Sequence, residues 1–141
     1  MFSFIVKGEA VPKGRPRVSG KGWIYTPKRT KEYEELVRKS YIDAGYGRLK
    51  GALAVSICVV YKIPKGASKK DTGLMLTGKI MPTKRNGDLD NIIKSILDGL
   101  NGVAYWDDSQ VVKINALKRY ATYQEEDSYT VITLDEMQQK E

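Results

Sequence analysis

Two pairs of aspartates stand out in a strongly basic chain. Asp88 and Asp90 are separated by one residue, and Asp107 and Asp108 are adjacent farther along the chain. The sequence holds 24 Lys and Arg against 17 Asp and Glu, and no His, so a cluster of carboxylates needs a chemical reason. Hard divalent cations such as Mg²⁺ bind carboxylate oxygens together with waters and substrate phosphates. The pattern therefore suggests a metal site facing a polyanion, and metal-assisted cleavage of phosphodiester bonds.

Each of these acids also has a purely structural explanation. Asp88 and Asp90 fall at the start of a predicted helix, where a carboxylate caps free amides and is favoured by the helix dipole. Capping accounts for one of the two acids but not for both. Asp107 and Asp108 equally suit a solvent-exposed turn before a strand. From the residues alone, both interpretations stay open.

Lys94 follows Asp90 by one helical turn. In a chain without His, proton transfer during hydrolysis falls to a bound water or to a lysine. Lys94 is placed to contact the scissile phosphate and to stabilise its transition-state charge. The alternative is an ion pair with Asp90 or Asp98 at helical i, i+4 spacing, which stabilises a helix by only a few tenths of a kcal/mol.

Periodicity indicates the elements that must position these residues. A helix is predicted to end at Asn101-Gly102. A second helix is predicted to have Thr26 as its N-cap and Pro27 as its first residue, and to end at Gly45. Strands are predicted at residues 2–7, 52–61, 111–116 and 128–134. The apolar stripe of the first helix, at spacing i, i+3, i+4, i+7, consists of Leu89, Ile92, Ile93, Ile96, Leu97 and Leu100.

Basic residues concentrate in two stretches. The front segment, residues 11–25, is interrupted by Gly and Pro and carries Lys13, Arg15 and Arg17. Residues 62–87 are predicted to form a mobile basic loop with a short strand near residues 74–76. A charged run is usually a solvated face, but beside acids that must meet phosphates we expect these arginines to bind DNA phosphates. Trp23 or Tyr25 suits stacking on an unpaired base, or equally core or dimer packing.

Composition limits the class of protein. A chain of 141 residues with net charge +7 is expected to be one domain that binds nucleic acid or an anionic membrane surface. The single cysteine, Cys58, allows neither an intrachain disulfide nor a multi-cysteine zinc site. No signal peptide and no apolar stretch of membrane-spanning length is found, so we expect a cytoplasmic protein with no membrane partner. The polar end, residues 135–141, is expected to fray.

Two motifs together carry a family resemblance. The sequence Asp88-Leu-Asp90-Asn-x-x-Lys94-x-x-x-Asp98, followed by Trp106-x-Asp108-x-Gln-Val, resembles the RusA family of Holliday-junction resolvases, found in bacteria and often on prophages and phages. The match is strong over residues 86–118. The front segment is also similar to phage and Gram-positive members.

The resemblance implies a Mg²⁺-dependent endonuclease, with Mn²⁺ as a substitute metal, that acts as a homodimer and nicks two opposing strands of a four-way DNA junction. It implies that the metal-binding catalytic acids are Asp88, Asp90 and Asp108, with Asp107 as a supporting acid, and that Lys94 is a catalytic lysine. We expect a single α+β domain, a mixed sheet flanked by helices. The expected DNA contacts are Lys13, Arg15, Arg17, Lys84 and Arg85.

Two other functions remain open. The chain could be a non-catalytic protein that binds branched DNA, in which the acids only cap helices and shape turns. It could also be a nuclease that acts on other branched intermediates of phage replication. Metal-dependent cleavage distinguishes the first alternative from an enzyme, and a comparison of junctions, forks and linear duplexes distinguishes the second from a resolvase.

Overall fold

A mixed β-sheet with helices packed on it forms the frame of the protein. We describe it from a computed structural model, which covers residues 1–83 and 87–137. In chain order the strands and helices are β1 (Phe2–Lys7), β2 (Arg17–Val18), β3 (Ile24–Tyr25), α1 (Lys28–Asp43), β4 (Leu53–Tyr61), α2 (Lys69–Leu76), α3 (Leu89–Leu100), β5 (Val111–Tyr120) and β6 (Tyr129–Glu136).

The main sheet has four strands in the order β1-β6-β4-β5. Strand β6 runs antiparallel to both β1 and β4, whereas β4 and β5 are parallel, so the chain between them must cross over the sheet through α2 and α3. Strands β2 and β3 form a separate small hairpin. This arrangement confirms the expected α+β class with a mixed sheet. No helix in the described part of the chain is long and apolar enough to cross a membrane.

The apolar stripe predicted for α3 is confirmed. Ile92, Ile96 and Leu100 are fully buried and belong to the same core cluster as Phe4 and Ile132 of the sheet. The opposite side of α3, which carries the candidate catalytic residues, is left towards solvent. Burial of one stripe therefore fixes which way the polar residues of the helix point.

Helices α1 and α3 touch at their backbones. A Cβ atom added at Gly99 would lie 2.8 Å from the carbonyl oxygen of Glu34, so only glycine allows this approach. Arg38 of α1 donates a hydrogen bond from Nε to the Gly99 carbonyl at 3.2 Å and so satisfies the C-terminal end of α3. Helix α1 thus holds α3 in place on the sheet.

The start predicted for α1 is wrong by one residue. Pro27 has an extended backbone (ψ 141°) and is itself the N-cap, with no side-chain hydrogen bond capping the helix. Its carbonyl accepts the first helical bond from the Lys31 amide at 3.0 Å. The end of the helix is as predicted, since Gly45 has a positive φ of 86° and its amide returns to the Ile42 carbonyl.

The short strand predicted near residues 74–76 is also wrong, because these residues end helix α2. Ser68 caps this helix by accepting a hydrogen bond from the Asp71 amide at 3.0 Å. Met75 and Leu76 pack against a small second core around Val60. The segment expected to be one basic loop therefore contains a docked helix.

Several strand boundaries differ from those predicted. Strand β5 continues to Tyr120 because it pairs with the whole length of β4. Strand β6 continues to Glu136, so the first two residues of the tail expected to fray are paired in the sheet. Asp135 also forms an ion pair of 3.5 Å with the amino terminus. The predicted strand at Phe2–Lys7 is confirmed, and that at 52–61 differs by one residue.

Candidate active site

The carboxylates of the two acids at the start of α3 have no hydrogen-bond or ion-pair partner in the described part of the chain. Asp88 is the N-cap residue, and its backbone carbonyl accepts hydrogen bonds from the amides of Asn91 and Ile92. Its carboxylate, however, makes no capping hydrogen bond. Asp90 lies in the first turn, and both side chains are exposed without a hydrogen-bond or ion-pair partner among the described residues. Both carboxylates are thus accessible to a cation from solvent.

The front segment lies along the first turns of α3. The Lys13 amide donates a hydrogen bond of 2.8 Å to the Asn91 carbonyl. The Ser95 hydroxyl donates one of 2.7 Å to the Val11 carbonyl. The Pro12 ring packs against Gly87, where an added Cβ would lie only 2.7 Å from its Cγ. These contacts bring the basic segment beside the helix that carries the acids.

Lys13 is engaged in two ion pairs. Its Nζ lies 2.8 Å from Glu34 of α1 and 3.0 Å from Asp98 of α3, and its side chain is only 16% exposed. Although burial lowers the pKa of Lys13, hydrogen bonds to Glu34 and Asp98 outweigh it, so the pKa is raised. This lysine, expected to contact DNA, therefore ties the front segment to both helices.

Lys94 does not form the ion pair considered for it. Its side chain is exposed, and it makes no ion pair or side-chain hydrogen bond with any residue that the structure describes. Asp98, one of its two potential partners, is paired with Lys13 instead. The ammonium group of Lys94 is consequently free to bind an anion on the same exposed face as Asp90.

Asp107 and Asp108 differ in their surroundings. Asp107 caps a single 3₁₀ turn, Asp108–Gln110, by accepting a hydrogen bond from the Ser109 amide at 3.1 Å. Hydrogen bonds from Ser109 lower the pKa of Asp107. The turn interpretation is therefore right for Asp107. Asp108 is exposed, and its carboxylate has no hydrogen-bond or ion-pair partner in the described residues.

Gln110 and Tyr105 fix the loop that carries these acids. The Gln110 side chain accepts a hydrogen bond from the Trp106 amide at 2.8 Å and donates one to the Leu49 carbonyl at 3.1 Å. Tyr105 is buried, and its hydroxyl donates a hydrogen bond of 2.5 Å to the Leu97 carbonyl of α3. Burial raises the pKa of Tyr105, and the negative charges of Asp108, Asp98 and Asp107 raise it further. The loop is thus anchored on α3.

The carboxylates do not form a closed metal-binding cluster. Within residues 1–83 and 87–137, no group of three or more Asp, Glu or Cys side chains is arranged to hold a metal ion. The convergence expected for Asp88, Asp90 and Asp108 is therefore not present as a preformed site. The donors still suit Mg²⁺, which usually takes one or two carboxylates, several waters and substrate phosphates.

Comparison with known proteins agrees with the motif at the start of α3. Over residues 7–132 the sequence matches the profile of the family described as "Endodeoxyribonuclease RusA". The chain belongs to the RusA family. It is also similar to "Uncharacterized protein YqaN" from Bacillus subtilis (strain 168), with 34% identity over 129 residues, 85% of this chain and 88% of that protein. The RusA match includes every residue proposed above for catalysis or DNA binding.

The front segment of this RusA-family chain presents an arginine-rich surface. Arg15 and Arg17, together with Arg29 of α1, line a shallow cavity of about 320 Å³ that has no acidic residue in its lining. Beyond it, the β2–β3 hairpin carries Trp23, which is 73% exposed and is therefore not part of the monomer's core. Lys84 and Arg85, the other expected DNA contacts, lie outside the described residues.

Two residues beside the acids have structural roles that the sequence analysis did not assign. Gly87 has a φ of 85°, which only glycine adopts readily, and it directly precedes Asp88. Lys118 of β5 donates a hydrogen bond from Nζ to the Gly87 carbonyl at 3.4 Å. A glycine immediately before an acidic motif can be recognised in the sequence as a candidate for a positive φ. The contact of Lys118 with Gly87 cannot, because it depends on how β5 lies beside α3.

Proposed function

We propose that this protein is a Mg²⁺-dependent endodeoxyribonuclease that resolves four-way DNA junctions by paired symmetric nicks. The observation that carries the proposal is the pair of exposed carboxylates, Asp88 and Asp90, which have no structural partner at the start of a helix in a RusA-family chain. The setting is DNA recombination and repair in the cytoplasm of a bacterial or phage-infected cell.

Asp88 and Asp90 are the residues that hold the metal, with Asp108 as the third catalytic acid. When bound, Mg²⁺ supplies Lewis-acid stabilisation of the phosphate and activation of water. We assign Asp107 a supporting role because its carboxylate is already used to cap a turn. Asp108 lies on a loop separate from Asp88 and Asp90, and the three carboxylates are not preformed as a metal site. In this proposal they come together when the substrate binds.

Lys94 stabilises the negative charge that develops on the scissile phosphate. Its ammonium is exposed and unpaired among the described residues, and it follows Asp90 by one helical turn. The attraction between a fixed positive charge and the reacting phosphate is stronger in a site that excludes water than in bulk solvent. Lys94 therefore acts on the transition state more than on substrate binding.

The arginines of the front segment bind the phosphates flanking the cut. A guanidinium group forms two parallel hydrogen bonds to phosphate oxygens. Arg15 and Arg17 lie on a segment fixed to α3 through Val11 and Lys13, so phosphates bound there lie near the acids. Paired nicks in opposing strands require two sites, which a twofold-symmetric homodimer provides.

The decisive experiment is cleavage of a synthetic four-way junction by wild type and Asp90→Asn, with Mg²⁺ and with EDTA. Asp43→Asn is the matched control, since Asp43 is an exposed acid at the end of α1. We expect paired symmetric nicks by wild type and the control in Mg²⁺ only, and binding without cleavage by Asp90→Asn. A fork and a linear duplex are assayed in parallel.

Three results would contradict the proposal in different ways. Junction binding without cleavage in any divalent metal would identify a non-catalytic binding protein. Faster cleavage of forks than of four-way junctions would indicate a nuclease for other branched DNA. Full activity of Asp90→Asn would remove this carboxylate from the site.

A further inference from the structure

Lys118 lies on the edge strand β5 and is half-buried. Across the four strands it lies in one row with Val59, Thr130 and Val6, all on the face covered by helices. These three neighbours are fully buried. At the edge of this face a lysine can lay its apolar stem along the sheet and carry its ammonium outwards to a polar partner.

The partner of Lys118 is the carbonyl of Gly87, 3.4 Å from Nζ. On its other side Gly87 lies against the Pro12 ring, which occupies the space of a Cβ atom. The peptide that leads into Asp88 is therefore held between β5 and the front segment. Asp88 in turn starts α3, because its carbonyl accepts the amides of Asn91 and Ile92.

We propose that Lys118 is a positioning residue that fixes the Gly87–Asp88 peptide and thereby the direction of the Asp88 carboxylate. The ammonium of a lysine has three donors, and the Gly87 carbonyl uses one. As far as it concerns cleavage, this role rests on the function proposed above.

The backbone before Asp88 needs an anchor such as the Lys118 ammonium. Asp88 has no side-chain hydrogen bond to hold it at the helix start, so the backbone around it must be held by other means. A supporting residue of this kind typically changes metal affinity or activity about 10- to 100-fold when removed. The Lys118 side chain is the described group on β5 that reaches this peptide.

The test compares Lys118→Met and Lys118→Arg with Lys113→Met as the matched control. Lys113 lies on the same strand, but on the opposite face of the sheet and exposed to solvent. The first readout is hydrogen exchange of the Asn91 and Ile92 amides in the free protein; both are bonded to the Asp88 carbonyl, so their exchange reports local opening of the helix start. The second is the single-turnover rate of junction cleavage, measured alongside junction affinity.

In Lys118→Met we expect exchange at the Asn91 and Ile92 amides to rise about tenfold while exchange in β4 is unchanged. We expect the cleavage rate to fall about 10- to 100-fold while junction affinity changes by less than about twofold, because small misplacements of catalytic groups affect rate more than binding. In Lys118→Arg, both the amide exchange and the cleavage rate should be close to those of wild type. Lys113→Met should behave as wild type.

Two outcomes overturn the proposal. If exchange at the Asn91 and Ile92 amides in Lys118→Met equals that in Lys113→Met, Lys118 does not hold the helix start. If exchange rises but cleavage is unchanged, it holds the peptide without positioning a catalytic group. Should wild type fail to cleave any junction, the proposed function fails, and the exchange measurement still decides whether Lys118 fixes Asp88.

Discussion

Lys13 Nζ lies 3.0 Å from Asp98 Oδ2, and this ion pair joins the basic front segment to the helix that carries Asp90. The same ammonium lies 2.8 Å from Glu34 of α1, so a single lysine bridges two helices. The pairing also removes Asp98 as a partner for Lys94. This structural contact thus takes away one of the two potential ion-pair partners of Lys94.

Lys13→Met should lower the free energy of unfolding by about 1–2 kcal/mol, because it leaves two half-buried carboxylates without their cation. Lys28→Met is the matched control, since its pair with Glu32 is long (3.8 Å) and exposed. Exposed pairs contribute about 0–1 kcal/mol, so the control should be close to wild type. Urea denaturation of both variants measures the difference, and an equal decrease in both would contradict the bridging role.

The Lys13 contribution should also depend on pH. Its pKa is raised above 10.5 in the folded protein, so the folded state holds this proton more tightly than the unfolded state. The stabilisation is therefore fully present below the unfolded pKa and disappears as the pH rises through the folded one. The stability difference between wild type and Lys13→Met should be constant near neutral pH and shrink above pH 10.5.

Asp107→Asn and Asp108→Asn should differ in their effect on the cleavage rate. Asparagine caps a turn about as well as aspartate, so Asp107→Asn should keep most of the cleavage activity. Asp108→Asn should reduce the cleavage rate by about 100-fold or more while junctions still bind, since it removes the negative charge of a proposed metal-binding carboxylate. Single-turnover cleavage and gel-shift titrations measure both. An equal reduction in the two variants would indicate that the two acids act alike.

Lys94→Met should bind junctions normally but cleave about 100-fold more slowly. Its thermal stability should be unchanged, because Lys94 has no ion pair to lose in the described part of the chain. Cleavage and melting temperature are measured on the same preparation. Normal cleavage would rule out a catalytic role for this lysine.

Gly87→Ala should destabilise the protein more than Gly102→Ala does. Both glycines have a φ of 85°, but only the Cβ at Gly87 meets a neighbour, Pro12 Cγ at 2.7 Å. The shared backbone strain costs about 1–2 kcal/mol, and the contact with Pro12 adds to it at Gly87. Denaturation curves of the two variants isolate the contribution of this contact. Equal destabilisation of both would show that Pro12 moves away freely.

Replacing Arg15 and Arg17 by Gln should weaken binding of all junction sequences alike. For every phosphate that is no longer neutralised, the slope of log affinity against log salt should become shallower by about 0.9. Lys39→Gln, an exposed lysine on α1, serves as the control. An unchanged slope in the arginine variants would show that the front segment does not neutralise phosphates.

The elements that hold the site could mostly be predicted from local patterns. The stripe of α3 specifies a helix because six apolar residues recur at helical spacing, and β4 is a nearly continuous apolar run. Helix α2 was missed because its apolar residues are few, although Ser68 and Asp71 form a readable capping signal. The hairpin of β2 and β3 was missed because each strand has only two residues.

Residue types and their spacing establish which chemistry is available: the acidic motif, the lysine that follows it, the basic front segment and the RusA resemblance can all be read from the chain alone. Which of these groups are free depends on how the chain folds. Asp107 and Lys13 are used to cap a turn and to bridge helices, whereas Asp88, Asp90, Lys94 and Asp108 have no such partner among the described residues. The physical reason is that hydrogen bonds and ion pairs join residues distant in sequence, as Lys118 and Gly87 do, and local spacing holds no information about them.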